Sequence, residues 1–428
     1  MEQQNIEKKK SFSAKDFWLG AVVGLLCTAL VTLICVGLYL TLGNGANLPG
    51  VAQSSTMETG LTGISDYYDT ESIVDEETIQ KLNDIAALFE VYSIYDIDTE
   101  ELQRGIIDGL VAGSGDRYAE YYTEEELNDL FSDYEGTFYG IGALLFMGEN
   151  DLPTISSVYS DSPAERAGML ADDIITAVDG VDVEGMTLDE VVKMIRGEKG
   201  TDVVITVYRT SVGDYIDLTA TRDEIKVTTV TSEMLTDEIG YIQIQTFEAV
   251  TSEQFADALT TLEAADMKAL VIDLRSNTGG LLDAVVSIGQ QILPKGLIVY
   301  TEDVFGNREE FTSAGKHQLQ IPIVILTNGY TASASEILTG ALKDYGMAIT
   351  IGTRTYGKGV VQTFATFEDG SGMKLTTEKY YTPNGVCIDG EGFEPDIEVP
   401  FDSEAYYAEE SVDNQLEAAI DYLEGQLK

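Results

Sequence analysis

The chain has 428 residues, enough for two or three domains, and 44% of them are hydrophobic, as in an ordinary globular protein. Against 25 Lys and Arg stand 74 Asp and Glu, a formal charge of −49. A surface of that sign cannot neutralise phosphates, which excludes a nucleic-acid partner, and it reads as a solvated acidic exterior.

Three cysteines (Cys27, Cys35, Cys387) and one histidine (His317) make neither a disulfide framework nor a zinc ligand set, so no metal or organic cofactor is expected. Cys387 stands alone, and a lone thiol without a basic partner reads as a packed residue.

Residues 1–16 carry Lys8, Lys9, Lys10 and Lys15, and the run from Phe17 to Leu42 carries no charge. As a helix that run reaches about 39 Å, against a bilayer core of roughly 30 Å. It is longer than a signal-peptide core and lacks a small-residue cleavage site. The expectation is an uncleaved, single-pass anchor over 17–42 in the cell membrane. Its lysines hold the amino end in the cytoplasm and put the rest outside.

Residues 43–69 have linker composition. From 70 to 134 the pattern is helical. Ile79, Leu82, Ile85, Ala86 and Phe89 recur at helical spacing, a second helix follows a capping Asp98 or Thr99, and a third starts near Thr123. This region reads as a packing platform.

A β-rich segment spans 135–224, with the loop Gly140-Ile141-Gly142, the turn Ser162-Pro-Ala-Glu-Arg-Ala-Gly, and a helix from Thr187 to Ile195. The loop lacks the third glycine of a dinucleotide fingerprint. Arg196 in the following turn is expected to be solvated. From 225 to 402 strands and helices alternate, as in an α/β domain. Ile239 to Ile244 is a strand, Thr251 to Ala264 a helix, and Ala269 to Arg275 a strand. A turn, Ser276-Asn277-Thr278-Gly279-Gly280, opens the helix Asp283 to Ile292. The same order recurs in the strand Ile321 to Leu326, the turn Thr327-Asn328-Gly329, and a helix through Ile337, Leu338, Ala341 and Leu342. A strand from Ala348 to Gly352 leads to Thr355-Tyr356-Gly357-Lys358-Gly359 and on to Gln362. Residues 403–428 read as an amphipathic helical tail.

The second strand–turn–helix unit carries the chemistry. Small residues at such a junction let a reacting carbonyl approach the backbone, and the first N–H groups of a helix are free to donate to an oxyanion. A serine there needs a base. His317 is one candidate, in a polar segment before the strand. Lys358 is the other, because a buried lysine sheds its charge and a neutral amine takes a serine proton. Gln362 is four residues on, which in a strand is the same face, where its amide can hold the amine.

The segments Thr331-Ala-Ser-Ala-Ser-Glu-Ile and Thr355-Tyr-Gly-Lys-Gly-Val-Val-Gln resemble the carboxy-terminal processing (tail-specific) proteases, a serine–lysine family. The resemblance implies Ser333 as nucleophile, Lys358 as general base 25 residues later, and Gln362 as the orienting amide. Ser335 then reads as an N-cap or first-turn residue. Asn277-Thr278-Gly279-Gly280 matches the family's Asn-Pro-Gly-Gly turn, which implies an oxyanion hole from the N–H groups of Gly279 and Ala334. Thr278 and Tyr356 depart from the usual proline and phenylalanine.

Residues 135–224 resemble a PDZ domain, with Gly140, Ile141 and Gly142 as its carboxylate-binding loop. Gly385 to Asp396 resembles the family's closing strand.

The expected protein is thus multi-domain α/β: a transmembrane helix, a helical segment, a PDZ domain and a ββα-spiral protease core. It would be a membrane-anchored endopeptidase acting on proteins with accessible carboxyl tails, and its helical region would be able to form a homodimer. Two other readings are a silent PDZ adaptor that binds tails and a Ser–His–Asp hydrolase using His317.

Overall fold

A computed structural model of the chain describes residues 73–148, 150–159, 161–408 and 412–428. The anchor expected at 17–42 and the linker at 43–69 lie outside the described residues. Among the described residues, no helix is long and apolar enough to cross a membrane.

Two helices come first, α1 (Glu76–Tyr92) and α2 (Thr99–Gly113), capped by Asp75 and Asp98. Neither buries a side chain, and Ile79, Ile85, Leu88 and Phe89 of α1 are exposed. The helical pattern is therefore as expected, but among the described residues the apolar stripe of α1 stays largely exposed, with Leu82 and Ala86 half-buried. Strand β1 (Glu120–Tyr122) and helix α3 (Glu124–Glu135) follow; α3 opens with a capping box between Thr123 and Glu126.

Strand β2 (Thr137–Gly140) leads into the β-rich domain. There β3 (Ala143–Met147), β4 (Pro153–Val158), α4 (Pro163–Ala167), β5 (Ile174–Val178), β6 (Val181–Asp182), α5 (Leu188–Ile195), β7 (Asp202–Arg209) and β8 (Asp214–Thr221) form one sheet with two helices. The strand order is β3-β4-β5-β7-β8, with β6 beside β5, so β3 is an edge. Ile155, Ile175, Val191, Val203 and Ile205 fill its core. The chain leaves along β9 (Asp223–Lys226), which pairs antiparallel with β2, Gly140 opposite Asp223. Both ends of the domain thus pass through one two-stranded ribbon.

The remaining elements are β10 (Val230–Met234), β11 (Ile239–Ile244), α6 (Thr251–Ala264), β12 (Ala269–Asp273), α7 (Leu282–Ile292), β13 (Gly296–Asp303), β14 (Arg308–Ser313), β15 (Ile323–Thr327), α8 (Ala334–Asp344), β16 (Ala348–Gly352), β17 (Val360–Thr366), β18 (Gly372–Tyr381), β19 (Ile397–Glu398), α9 (Ser403–Tyr406) and α10 (Asn414–Leu427). The main sheet runs β10-β11-β12-β15-β16-β19, parallel except for β10. Every residue of β12 and β15 is buried, because both faces of the sheet are covered, and this is why those strands read as unbroken apolar runs. Residues of α6, α7 and α8 pack on one face, while Ala419 and Leu423 of α10 pack on the other. Arg275 fixes that last helix by bridging Asp273 and the α10 cap Asp413.

A second sheet holds β14, β13, β18 and β17, and β1 joins it along β18. The segment Gly385 to Asp396, expected to hold a closing strand, is turns and coil; the edge strand is the two-residue β19 just after it. The helical tail is two helices, α9 and α10, rather than one.

Candidate active site

Ser333 lies where β15 turns into α8. Its backbone has φ 54° and ψ −117°, a region that non-glycine residues enter only under constraint and that recurs at functional sites. Four hydrogen bonds hold it there. The Ser333 N–H donates to Glu336 Oε2 (3.0 Å), the Tyr380 hydroxyl donates to the Ser333 carbonyl (3.2 Å), and that carbonyl starts α8 by accepting from Glu336 and Ile337. Ser333 itself, rather than Ser335, is the N-cap. Ser335 is a buried first-turn residue whose hydroxyl donates to the Asn277 carbonyl (3.0 Å).

Asn277 knits the two turns together. Its carbonyl also accepts from Ala332 N–H, its side-chain NH₂ donates to the Ile244 carbonyl, and its Oδ1 accepts from Gly279 N–H (2.8 Å). Gly279, at φ 105°, is pressed against Ser333. A Cβ there would lie 2.7 Å from Ser333 Cβ and 3.0 Å from the Ala334 nitrogen. The Gly279 turn and Ala334 thus both lie beside Ser333. Among the described residues the Ala334 and Gly280 N–H groups have no acceptor, whereas the Gly279 N–H is engaged by Asn277. Gly279→Ala should collapse activity by about 10²-fold or more, because the clash displaces the serine. The rate of Ser333 labelling by a fluorophosphonate would read this, and unchanged labelling would show that the loop yields.

Lys358 precedes β17 rather than lying in it, and β17 is irregular between Val361 and Gln362. The same-face argument for Lys358 and Gln362 therefore does not apply. Gln362 is placed instead by its amide nitrogen donating to Thr376 Oγ1 (3.3 Å) on β18. The Lys358 amine sits over the Tyr118 ring, 4.7 Å from its centre. Burial holds the Lys358 ammonium below the usual lysine range and Lys374 adds to this, while Asp116 and Glu336 act in the opposite direction.

Glu336 was not singled out from sequence, and it joins the two halves of the site. Its carboxylate is fully buried. Oε1 accepts from Thr355 Oγ1 (2.6 Å) and Gly357 N–H (2.8 Å), and Oε2 accepts from Ser333 N–H (3.0 Å) and Lys358 N–H (2.9 Å). Burial pushes this carboxyl above its usual range, and the four donors offset only part of that. Three of the four partners are backbone N–H groups that can only donate, and the fourth is the Thr355 hydroxyl, so this set is built to surround a carboxylate. The spacing Ser333-x-x-Glu336, a capping-box signature, is the sequence signal that points to it.

Other expected residues fall elsewhere. His317 is exposed, and its ring nitrogens meet the Gln291 carbonyl and Glu263 Oε1 (3.0 Å each), so neither faces the serine. Cys387 is a partly buried free thiol. Arg196 stacks on Phe138 of β2 (5.3 Å). Thr278 is exposed, and Tyr356 stands against Tyr118. In the β-rich domain, Gly140, Ile141 and Gly142 are buried, with Gly142 packed on Ser162 and Ile225. They lead directly into edge strand β3, beside which α5 packs.

The peptidase family S41 model matches residues 238–399, and a PDZ domain model matches 154–209. A "Probable CtpA-like serine protease" of Staphylococcus aureus (strain COL) is 37% identical over 328 residues, covering 76% of this chain and 65% of the relative. Another, from S. aureus strain bovine RF122, is 34% identical over 403 residues, covering 93% of this chain and 75% of the relative. The first relatives are thus matched over about two thirds of their length, 65%. Among solved structures, a photosystem II D1 C-terminal processing protease aligns at 29% identity over 75% of this chain and 88% of its own, with a TM-score of 0.44. Identity of 34% sustained over 403 residues, through PDZ and peptidase segments alike, makes this chain a member of peptidase family S41.

Proposed function

We propose that the protein is a serine endopeptidase of the carboxy-terminal processing type, with Ser333 and Lys358 as its dyad. The carrying observation is the Glu336 oxygen that accepts from the backbone N–H of both residues. One buried charge sets the register of nucleophile and base together.

Neutral Lys358 takes the serine proton as Oγ attacks the peptide carbonyl. The oxyanion forms against the Ala334 N–H and the glycine turn, with Gly279 as the second donor if it leaves Asn277. Lys358 then protonates the leaving amine and activates the hydrolytic water. Gln362 orients the amine. No cofactor enters this scheme.

The PDZ domain takes the substrate tail as an added strand on β3, with its carboxylate at Gly140-Ile141-Gly142. The uncharged run at 17–42 anchors the chain in the cell membrane with the peptidase outside, and the exposed face of α1 pairs two copies. What supports these last readings is the lysine cluster before the run and the apolar stripe of α1 that is exposed among the described residues.

A Ser333→Ala chain anchored in its own membrane should capture substrates that the wild type trims, identified by their carboxyl termini. Capture by both forms with no trimming would make the protein a tail-binding adaptor instead. In the same variant, a peptide with a free apolar carboxyl end should bind more tightly than its amide by roughly 1.5–3 kcal/mol, the worth of a charge-assisted hydrogen bond. Equal affinities would remove the carboxylate loop and leave the dyad standing.

A further inference from the structure

The stretch between α2 and α3 belongs, by sequence, to the helical platform. In the fold it runs to the far end of the chain. Asp116 Oδ2 accepts from the Thr376 N–H (2.8 Å) and Oδ1 from the Thr376 hydroxyl (3.0 Å), residues 260 apart in sequence. Two residues on, Tyr118 places its ring under the Lys358 amine. Then β1 pairs with β18, Glu120 opposite Lys374. Arg104 of α2 donates to the Tyr121 carbonyl (3.0 Å) and so ties the helix to this strand.

The hydrogen-bond chemistry of this contact has a direction. The Thr376 hydroxyl has one proton, and a carboxylate only accepts, so that proton goes to Asp116. Thr376 Oγ1 therefore faces Gln362 with a lone pair, and Gln362 must turn its NH₂ toward it. The carbonyl end of the amide is left for another donor. We propose that Asp116, acting through Thr376, is a positioning residue that fixes which end of the Gln362 amide is available to Lys358, and that Tyr118 closes the amine off from water. The inference rests on Lys358 being the base. It makes the 116–122 segment part of the catalytic centre.

Two roles for Asp116 must be separated. As a charge, it favours the ammonium form of Lys358, opposed by Lys374 of β18 and assisted by Glu336 of α8. Neutralising it then makes the amine lose its proton at lower pH and leaves the high-pH plateau unchanged. As a positioning group, its replacement by an amide lets an NH₂ face Thr376. The hydroxyl then donates to Gln362 and turns that amide over, so the plateau itself falls.

The experiment measures the rate of Ser333 labelling by a fluorophosphonate against pH, in the full chain. It compares wild type, Asp116→Asn, Tyr118→Ala, Tyr118→Phe and Lys358→Ala. Asp116→Asn should lower the plateau about 10²-fold, the scale of a misplaced catalytic group. Tyr118→Ala should move the rise to higher pH, because hydration of the amine outweighs the lost ring contact, whereas Tyr118→Phe should keep the wild-type midpoint.

A full plateau in Asp116→Asn with the rise at lower pH would overturn the positioning role. A downward or absent shift in Tyr118→Ala would overturn the shielding role. Wild-type labelling in Lys358→Ala would instead sink the dyad itself. The isosteric Asp116→Asn and the Tyr118→Phe pair keep the test independent of folding defects, which a thermal melt would register.

Discussion

Lys358→Ala should reduce peptide cleavage and fluorophosphonate labelling by roughly 10²–10⁴-fold, the contribution of a positioned general base. In the wild type, the rate should rise with pH along one ionisation. As the proposed base the Lys358 amine works only when neutral, so the rate should be low below the lowered Lys358 value and reach its plateau above it. Burial is the main cause of the lowering and Lys374 the second. Lys374→Gln removes the like charge, raises the Lys358 value and shifts the rise to higher pH.

Stability gives an independent reading of the same group. Between its folded value and the ordinary lysine value, the unfolded chain holds more protons than the folded one, so stability increases with pH and is lost as pH falls. Lys358→Met abolishes that penalty. It should be inactive yet more resistant to urea than the wild type at neutral pH, with the difference vanishing above the ordinary lysine value. Lys358→Ala with wild-type turnover and an unchanged pH profile would falsify the dyad.

The second large effect belongs to Glu336→Gln. An amide offers one acceptor oxygen where the carboxylate offers two. At least one pair of donors, either Ser333 and Lys358 N–H or Thr355 hydroxyl and Gly357 N–H, would then face an NH₂ group. A buried donor without a partner costs about 1–3 kcal/mol, so the unfolding midpoint in urea should fall by the equivalent of several kcal/mol. Activity should fall further than stability accounts for. With the NH₂ toward Ser333 and Lys358 the Ser333 backbone loses its hold, and with the NH₂ toward Thr355 and Gly357 the lysine turn loses its own; either displaces a reacting group by an ångström or so, worth about 10²-fold. Glu336→Asp keeps the charge on a shorter arm and should fall between. Glu336→Gln with wild-type stability and labelling would show that the clamp does not hold the site.

The sequence made local features legible. The strand at Ala348–Gly352 and the helix at Thr251–Ala264 have the bounds read from periodicity, and the junction at Ser333 was read from small residues between an apolar run and a helical one. What escaped was long-range. Glu336 meets Thr355, Gly357 and Lys358 only after β16 has formed and turned back, and Asp116 meets Thr376 across most of the chain. No periodicity encodes such pairs.

The same-face argument for Gln362 failed for a local reason. Alternation assumes a regular strand, and here the strand starts at Val360 and shifts register one residue later. Gly385 to Asp396 misled in a similar way. Its role is to pack backbone against the lysine turn, where a Cβ at residue 357 would lie 2.7 Å from the Gly392 nitrogen, and a turn serves that better than a strand.

The ribbon of β2 and β9 gives the PDZ domain an unusual mechanical status. Its two ends stand opposite each other at Gly140 and Asp223, so to the rest of the chain everything from 141 to 222 is the tip of a hairpin. The loop-closure entropy of a tip grows only logarithmically with its length, so the core is nearly indifferent to what the ribbon carries. Two adjacent strands also resist sliding and splaying while bending easily about their shared face. The module is therefore a plug-in on a leaf spring. Beside the ribbon, the Lys193–Glu125 ion pair ties the module to α3, so the bend of the spring and that surface pair together set its orientation.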